Sequence, residues 1–186
     1  MDPQRLDGLT LLLLTLPGVA FTYNGDEIGM LDHREISWDD TTDPWACNAF
    51  PDDFNEVSRD PARTPFQWDS TTNSGFNTGA KTWIPVHPQY ADINLEAQKN
   101  DEKSHFNFYK NLLKLRRNET FVNGDFDSKA LSENVFSFTR STDDATFVIL
   151  INLGNRSETV NVGDLTVKLK DGLEILLASS TGFEVG

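Results

Sequence analysis

Between two helix-like stretches lies a long run, Asp26–Asn94, with neither the three- to four-residue period of a helix nor the alternation of a strand. Loops longer than roughly fifteen residues are uncommon unless they serve a function or are disordered. Its aromatic residues, Trp38, Trp45, Phe54, Phe66, Trp68 and Trp83 among them, argue against disorder because they can build a core. An ordered excursion of that length needs a scaffold, and the flanking elements are expected to supply it. Its stiffest part is Ser58–Asp69, where Pro61 and Pro65 each remove a backbone donor and push the residue before them toward an extended conformation. Arg59 and Arg63 offer paired N–H donors, with Asp60 placed to hold one guanidinium. Phe66 and Trp68 add flat apolar faces. Two readings fit this composition. One is a rigid surface loop with an ion pair. The other is a wall for a neutral sugar ring, which needs donors for its hydroxyls beside flat faces for its C–H surfaces.

The flanking scaffold begins with Leu6–Leu16, a helix apolar almost all round and ended by Pro17-Gly18. Such a helix has to be buried among neighbours. Val19–Tyr23 follows as a short strand closed by Asn24-Gly25. A buried helix, a tight turn and one apolar strand make half of a parallel α/β unit. One strand forms no sheet by itself, so this edge is expected to have more chain before it. On the far side of the excursion, Asp101–Arg117 carries Phe106, Tyr109, Leu112 and Leu113 at helical spacing, with Lys114, Arg116 and Arg117 in the last turns. From Phe121 the period changes to two. Val135–Arg140, Thr146–Asn152, Thr159–Val162, Leu165–Leu169 and Leu173–Leu177 read as strands of a small antiparallel β domain that starts near residue 120.

Composition narrows the partners. The 186 residues carry a formal net charge of −13, spread rather than blocked, so nucleic acid and anionic membranes are repelled. A small neutral substrate or a cationic partner remains. The only cysteine, Cys47, rules out a disulfide framework within the chain and any Cys/His metal cluster. It reads as an apolar filler or, in a secreted protein, as a thiol whose partner lies elsewhere. Met1 is followed by a polar run without signal-peptide character, and Leu9–Leu16 is too short to span a bilayer.

Glu27, at the carboxyl end of the expected strand, is either a site carboxylate or a turn and cap residue. His33, His87 and His105 show no ligand spacing and read as structural. Asn118-Glu119-Thr120 and Asn155-Arg156-Ser157 fit the N-glycosylation pattern, which makes Asn118 and Asn155 candidate acceptors. Glycoside hydrolysis needs two flanking carboxyl groups. Asp26, Glu27, Asp60 and Asp69 are present, but nothing marks any of them as acid or nucleophile.

Read together, Leu16-Pro17-Gly18-Val19, Tyr23–Met30, Ser58–Asp69, Asn73–Phe76 and Thr82–Val86 closely resemble the alpha-glucosidase (maltase and oligo-1,6-glucosidase) branch of the alpha-amylase family of glycoside hydrolases. Asp43–Asn48 gives the likeness an animal, particularly insect, character. The resemblance covers nearly the whole chain and implies the fold class: α/β plus all-β, the terminal portion of a (β/α)8 barrel followed by a C-terminal antiparallel β domain. It implies that residues 1–119 close the barrel, with 26–95 as the loop after the eighth strand, and that residues 120–186 form the β domain. It implies substrate contacts for Arg59 and Arg63 and a place beside the pocket for Glu27. Asp26 stands where relatives commonly carry Glu.

The family's nucleophilic Asp, acid/base Glu and stabilising Asp come from earlier strands, and no position here matches them. The expected catalytic set in this chain is therefore none, and the calcium site of many members also falls outside it. The implied activity is retaining hydrolysis of terminal alpha-linked glucose by a secreted or surface glycoprotein acting on small oligosaccharides. The alternatives are a non-catalytic relative, of the transporter heavy-subunit or cell-surface receptor type, and a free-standing β-domain binding module.

Overall fold

The computed structural model describes residues 3–49, 51–165 and 172–179. They divide into two compact units, one from Met1–Thr22 with Phe108–Gly186, the other from Tyr23–Asn107.

In the first unit, helix α1 covers Pro3–Thr15. Leu16 N donates to Leu12 O as the helix ends, and Gly18 takes the left-handed φ of 97° that turns the chain out of it. Helix α5, His105–Arg116, enters this unit at Phe108. Of the stripe expected from sequence, Tyr109 and Leu112 are buried, whereas Phe106 is only partly buried, Leu113 is exposed, and Phe108 takes an inward place that the spacing did not give. Phe108, Tyr109 and Leu112 close on Leu14 of α1 to form one core cluster, with Leu11, Ala20 and Leu177 against it. Fully burying a side chain such as Leu112 stabilises by about 1.5–3 kcal/mol. Asn118 caps the short helix α6, Glu119–Asn123, by accepting from Thr120 N at 2.9 Å.

Strands β1 (Asp125–Ala130), β2 (Val135–Ser141) and β3 (Thr146–Asn152) form an antiparallel sheet in the order β1-β2-β3. Phe126 pairs with Arg140, and Phe138 with Ile149. Phe138, Ile149 and Ile151 face Phe121 in a second cluster, to which Leu11, Leu12 and Leu16 of the α1 segment also pack. α1 is thus shared by both clusters through Leu11, Leu12 and Leu14, but Leu9 (48%) and Leu13 (39%) are exposed, so the expected burial of the whole helix is met on part of its surface only.

Two arginines fasten the end of α1. Arg116 Nη1 donates to Leu14 O at 2.5 Å and Leu16 O at 3.2 Å, and its Nη2 donates to Gly18 O at 2.5 Å. Arg140, 1% exposed, donates from Nη1 to Thr15 O at 3.2 Å and from Nη2 to Gly124 O at 3.0 Å. Terminal carbonyls without helical partners are thereby satisfied by cations, which also suits the helix dipole. Burial and the neighbouring Arg116 charge hold the Arg140 proton affinity below the usual guanidinium range.

Three sequence expectations are corrected. Val19–Tyr23 is not a strand: a strand exists through its ladder partner, and the chain there leaves Val19 80%, Phe21 83% and Tyr23 56% exposed. Thr159–Val162 is likewise no strand, since Val162 opens a 3-10 turn over Val162–Asp164. Leu173–Leu177 is described without strand structure, and Leu165–Leu169 lies largely outside the described residues.

The second unit carries short elements only: α2 (Pro44–Cys47), α3 (Phe54–Val57), α4 (Leu95–Asn100) and 3-10 turns at Asp26–Ile28, Trp38–Asp40, Asp60–Arg63, Thr72–Gly75 and Pro88–Ala91. Ile28, Ile36, Ala46, Phe54, Phe66 and Ile84 are buried in it. Side chains satisfy the loop backbone where ladders do not. Gln67 Nε2 donates to Ile93 O at 2.6 Å, and Gln98 Nε2 to Ile28 O at 2.7 Å. Asn73, Ser74 and Gly75 take successive left-handed conformations with φ of 55°, 53° and 68°. At Gly75 a Cβ would stand 2.4 Å from Asp69 Oδ2, so only glycine fits.

Candidate functional site

The site is organised by a carboxylate that the sequence reading did not nominate. Asp43 precedes Pro44 and caps α2, with Oδ1 accepting from Trp45 N at 3.3 Å. An N-cap Asp followed by Pro at the first helical position is a helix-start signal, and the local sequence dictates this much. Its long-range role comes from the fold. Arg59 N donates to Asp43 Oδ2 at 2.7 Å, Arg59 Nε to Oδ2 at 2.9 Å, and Arg59 Nη2 to Oδ1 at 2.5 Å. Arg63 Nη1 lies 3.8 Å from Asp43 Oδ1. The Asp43 side chain is 0% exposed, against 50% for Arg59 and 33% for Arg63. The carboxylate is sealed in, and both arginine side chains keep an exposed part.

Asp60 does not hold a guanidinium directly, contrary to expectation. Its Oδ2 accepts from Thr42 N at 2.7 Å and Asp43 N at 2.8 Å, because the turn that starts at Asp60 lays its side chain along the Thr42–Asp43 backbone. It therefore fixes the residue that fixes the arginine. Hydrogen bonding from Arg59 is the largest influence on Asp43 and holds its carboxyl far below the usual carboxylate range. The Arg59 proton affinity is raised in return, first by Asp43 and then by the charge of Asp60.

Trp45 lays an aromatic face against this centre, and further ring pairs lie elsewhere in the same unit. The Trp45 ring lies 5.9 Å from Arg59 Cζ and is 67% exposed. Phe66 and Trp68 have ring centroids 4.7 Å apart, with Phe66 buried and Trp68 half exposed. The Trp68 position is set by its backbone, since Trp68 N donates to Ser74 O at 2.9 Å and Glu96 N to Trp68 O at 3.0 Å. The left-handed run through Ser74 thus aims the Phe66–Trp68 segment. His33, whose N donates to Pro61 O at 2.9 Å, meets His87 edge to face at 5.4 Å. Burial and the neighbouring His33 lower the His87 proton affinity against the pull of Glu35 and Asp32.

Arg59 and Arg63 are brought together at Asp43; Glu27 is not part of that cluster. Its Oε2 accepts from Gly25 N at 2.9 Å, tightening the turn in which Gly25 has φ 102°. A depression of about 180 Å³ runs between this turn and the arginine loop, lined by Tyr23, Asn24, Asp26, Met30, Ala62 and Thr64. Of the candidate glycosylation sites, Asn118 spends its carbonyl oxygen on the α6 cap, and Asn155 Oδ1 accepts from Arg5 Nη2 at 2.6 Å. Both asparagines are exposed, and Cys47 is an exposed free thiol. Among the described residues no group of three His, Cys, Asp or Glu could hold a metal ion, and no helix is long and apolar enough to cross a membrane.

A centre of this kind, arginines backed by a buried carboxylate on an aromatic-rich loop, sits within a chain that belongs to the alpha-amylase family: residues 2–124 match the model described as alpha amylase, catalytic domain. Among individual proteins the chain is similar to Maltase 1 of Drosophila virilis, 43% identical over 92% of this chain and 27% of that protein. It is also similar to the alpha-glucosidase of Apis mellifera, 41% identical over 83% of this chain and 27% of that protein. Among solved structures, trehalulose synthase MutB from Pseudomonas mesoacidophila MX-45 superposes with a TM-score of 0.69 at 31% identity, over 81% of this chain and 30% of that one. The chain therefore spans 27% of the length of the two insect relatives.

Proposed function

We propose that the protein to which this chain belongs is a maltase-like alpha-glucosidase. It cleaves terminal alpha-linked glucose from maltose- or sucrose-type sugars with retention of configuration. In this reading the chain is the closing part of a (β/α)8 barrel, residues 1–119, followed by an antiparallel β domain, residues 120–186. It supplies Arg59, Arg63 and Glu27 as substrate-binding groups and no catalytic carboxylate. The observation that carries the reading is the convergence of Arg59 and Arg63 on the buried Asp43. Guanidinium donors held from behind and open in front can hold sugar hydroxyls in a reactive geometry without reorganising.

The named relatives support the substrate class: they are called maltase and alpha-glucosidase, and a MutB variant has been solved in complex with the substrate sucrose. We assign the protein to the extracellular side, a reading supported by a relative at 37% identity named salivary alpha-glucosidase, from Aedes aegypti. Any calcium site or cofactor is placed outside this segment.

The test is an assay of the purified 186-residue chain on maltose and on a chromogenic alpha-glucoside, beside the full-length protein. The isolated chain is expected to give no turnover. In the full-length protein, Arg59→Ala is expected to lower kcat/KM on the order of 10²-fold through lost substrate positioning. Clear turnover by the isolated chain overturns the assignment of roles.

A further inference from the structure

We propose that Asp43 is the positioning residue of the arginine pair: its carboxylate sets the direction of Arg59 and the place of Arg63, and through them the orientation of the bound sugar. The inference rests on the reading of the two arginines as substrate-binding groups.

Three observations carry it. The first is the division of exposure. Asp43 has no exposed side-chain surface, whereas half of the Arg59 side chain faces solvent. A ligand can reach the Arg59 side chain and cannot reach the carboxylate. The second is the choice of nitrogens. Asp43 takes Arg59 Nε and Nη2, the side-on fork, and also its backbone N. That leaves Nη1, with two N–H groups, as the donor for a ligand. A fork held at two nitrogens and at its own backbone has little rotational freedom left, so the direction of Nη1 is decided before a sugar arrives. The third is that Asp43 is itself immobile. Its N donates to Asp60 Oδ2, and its Oδ1 caps α2 at Trp45 N.

The pair is asymmetric. The 3.8 Å approach of Arg63 Nη1 to Asp43 Oδ1 exceeds hydrogen-bonding reach, so Arg63 is attracted without being aimed. Removing the charge should therefore release Arg59 from a fixed direction but only loosen Arg63. A purely structural role, as the α2 cap, would leave both unchanged in Asp43→Asn, because the asparagine oxygen still accepts from Trp45 N.

The experiment has two arms. In the first, arginine side-chain Nε–Hε resonances of the full-length protein, labelled selectively at arginine, are followed by NMR. In the wild type Arg59 is expected to give a shifted, slowly exchanging signal. In Asp43→Asn it should move to the free-guanidinium position, while Arg140 keeps its own. If the Arg140 signal is lost as well, Arg59→Lys serves instead: the Asp43 carboxyl should then titrate closer to the ordinary carboxylate range. In the second arm, kinetics of the full-length protein should show Asp43→Asn lowering kcat/KM for an alpha-glucoside on the order of 10²-fold. The double variant with Arg59→Ala should lose far less than the two single losses combined, because Asp43 acts mainly through Arg59 and only the loosening of Arg63 remains. An unmoved Arg59 signal in folded Asp43→Asn, an unmoved Asp43 titration in Arg59→Lys, or additive losses in the double variant overturn the proposal. The resonance arm decides even where no glucosidase activity is found.

Discussion

Asp43 and Arg140 face the same physical difficulty, a formal charge in a place that water does not reach, and meet it differently. Asp43 is matched by a guanidinium and several N–H donors. Among the described residues Arg140 is matched by backbone carbonyls, with its Nε left without a hydrogen-bond partner there. A buried charge is tolerable when it is surrounded by directed partners and costly when one is removed. For Asp43 the consequence is a pH dependence with a definite sign. Its carboxyl binds protons more weakly in the fold than in the unfolded chain. Its stabilising contribution is therefore complete above the ordinary carboxylate value and is surrendered as the pH falls through that value toward the folded one. Urea midpoints measured from about pH 5 to about pH 2 should fall more steeply for the wild type than for Asp43→Asn. Parallel acid limbs for the two proteins would show that the carboxylate is not held as described.

The helices and strands show which features the linear sequence could convey. α1 and α5 are legible because their apolar residues recur at helical spacing, and β2 and β3 because Val135–Arg140 and Thr146–Asn152 concentrate β-branched and aromatic residues between turn signals, although burial along β2 does not alternate. β1 is not, since all six residues of Asp125–Ala130 are exposed at the sheet edge and carry no burial pattern to read. The supposed strand Val19–Tyr23 had the right composition, but strand identity is a property of a pair of segments. At the site, the arginine loop was legible from Pro61, Pro65 and the spacing of Arg59 and Arg63. Asp43 was not, because its cap signal explains α2 and says nothing of a guanidinium sixteen residues on. Burial tests the element reading directly. Leu112 is 0% exposed where α5 meets α1, so Leu112→Ala should lower the unfolding free energy by about 2–5 kcal/mol. A loss well under that range in urea titration would place Leu112 outside the load of this core.

On the scale of the whole molecule, apolar surface and charge are in tension. Val19 and Phe21 stand almost fully in solvent beside a formal net charge of −13. Charge keeps such a chain apart from its copies, while contiguous apolar surface attracts dyes and other apolar groups. The isolated chain should bind an anilinonaphthalene dye under native conditions. Val19→Ser with Phe21→Ser should lessen that signal and leave the urea midpoint within about 0.5 kcal/mol of the wild type. An unchanged dye signal would locate the sticky surface elsewhere. The fastening of α1 by Arg116 and Arg140 has a practical corollary for anyone dividing the polypeptide into pieces. A shortened version beginning at α6 would keep the three strands but strip Arg140 of the Thr15 oxygen and the sheet of Leu11, Leu12 and Leu16, laying the Phe138–Ile149 face open to water. The sheet travels with the opening helix or it does not travel intact.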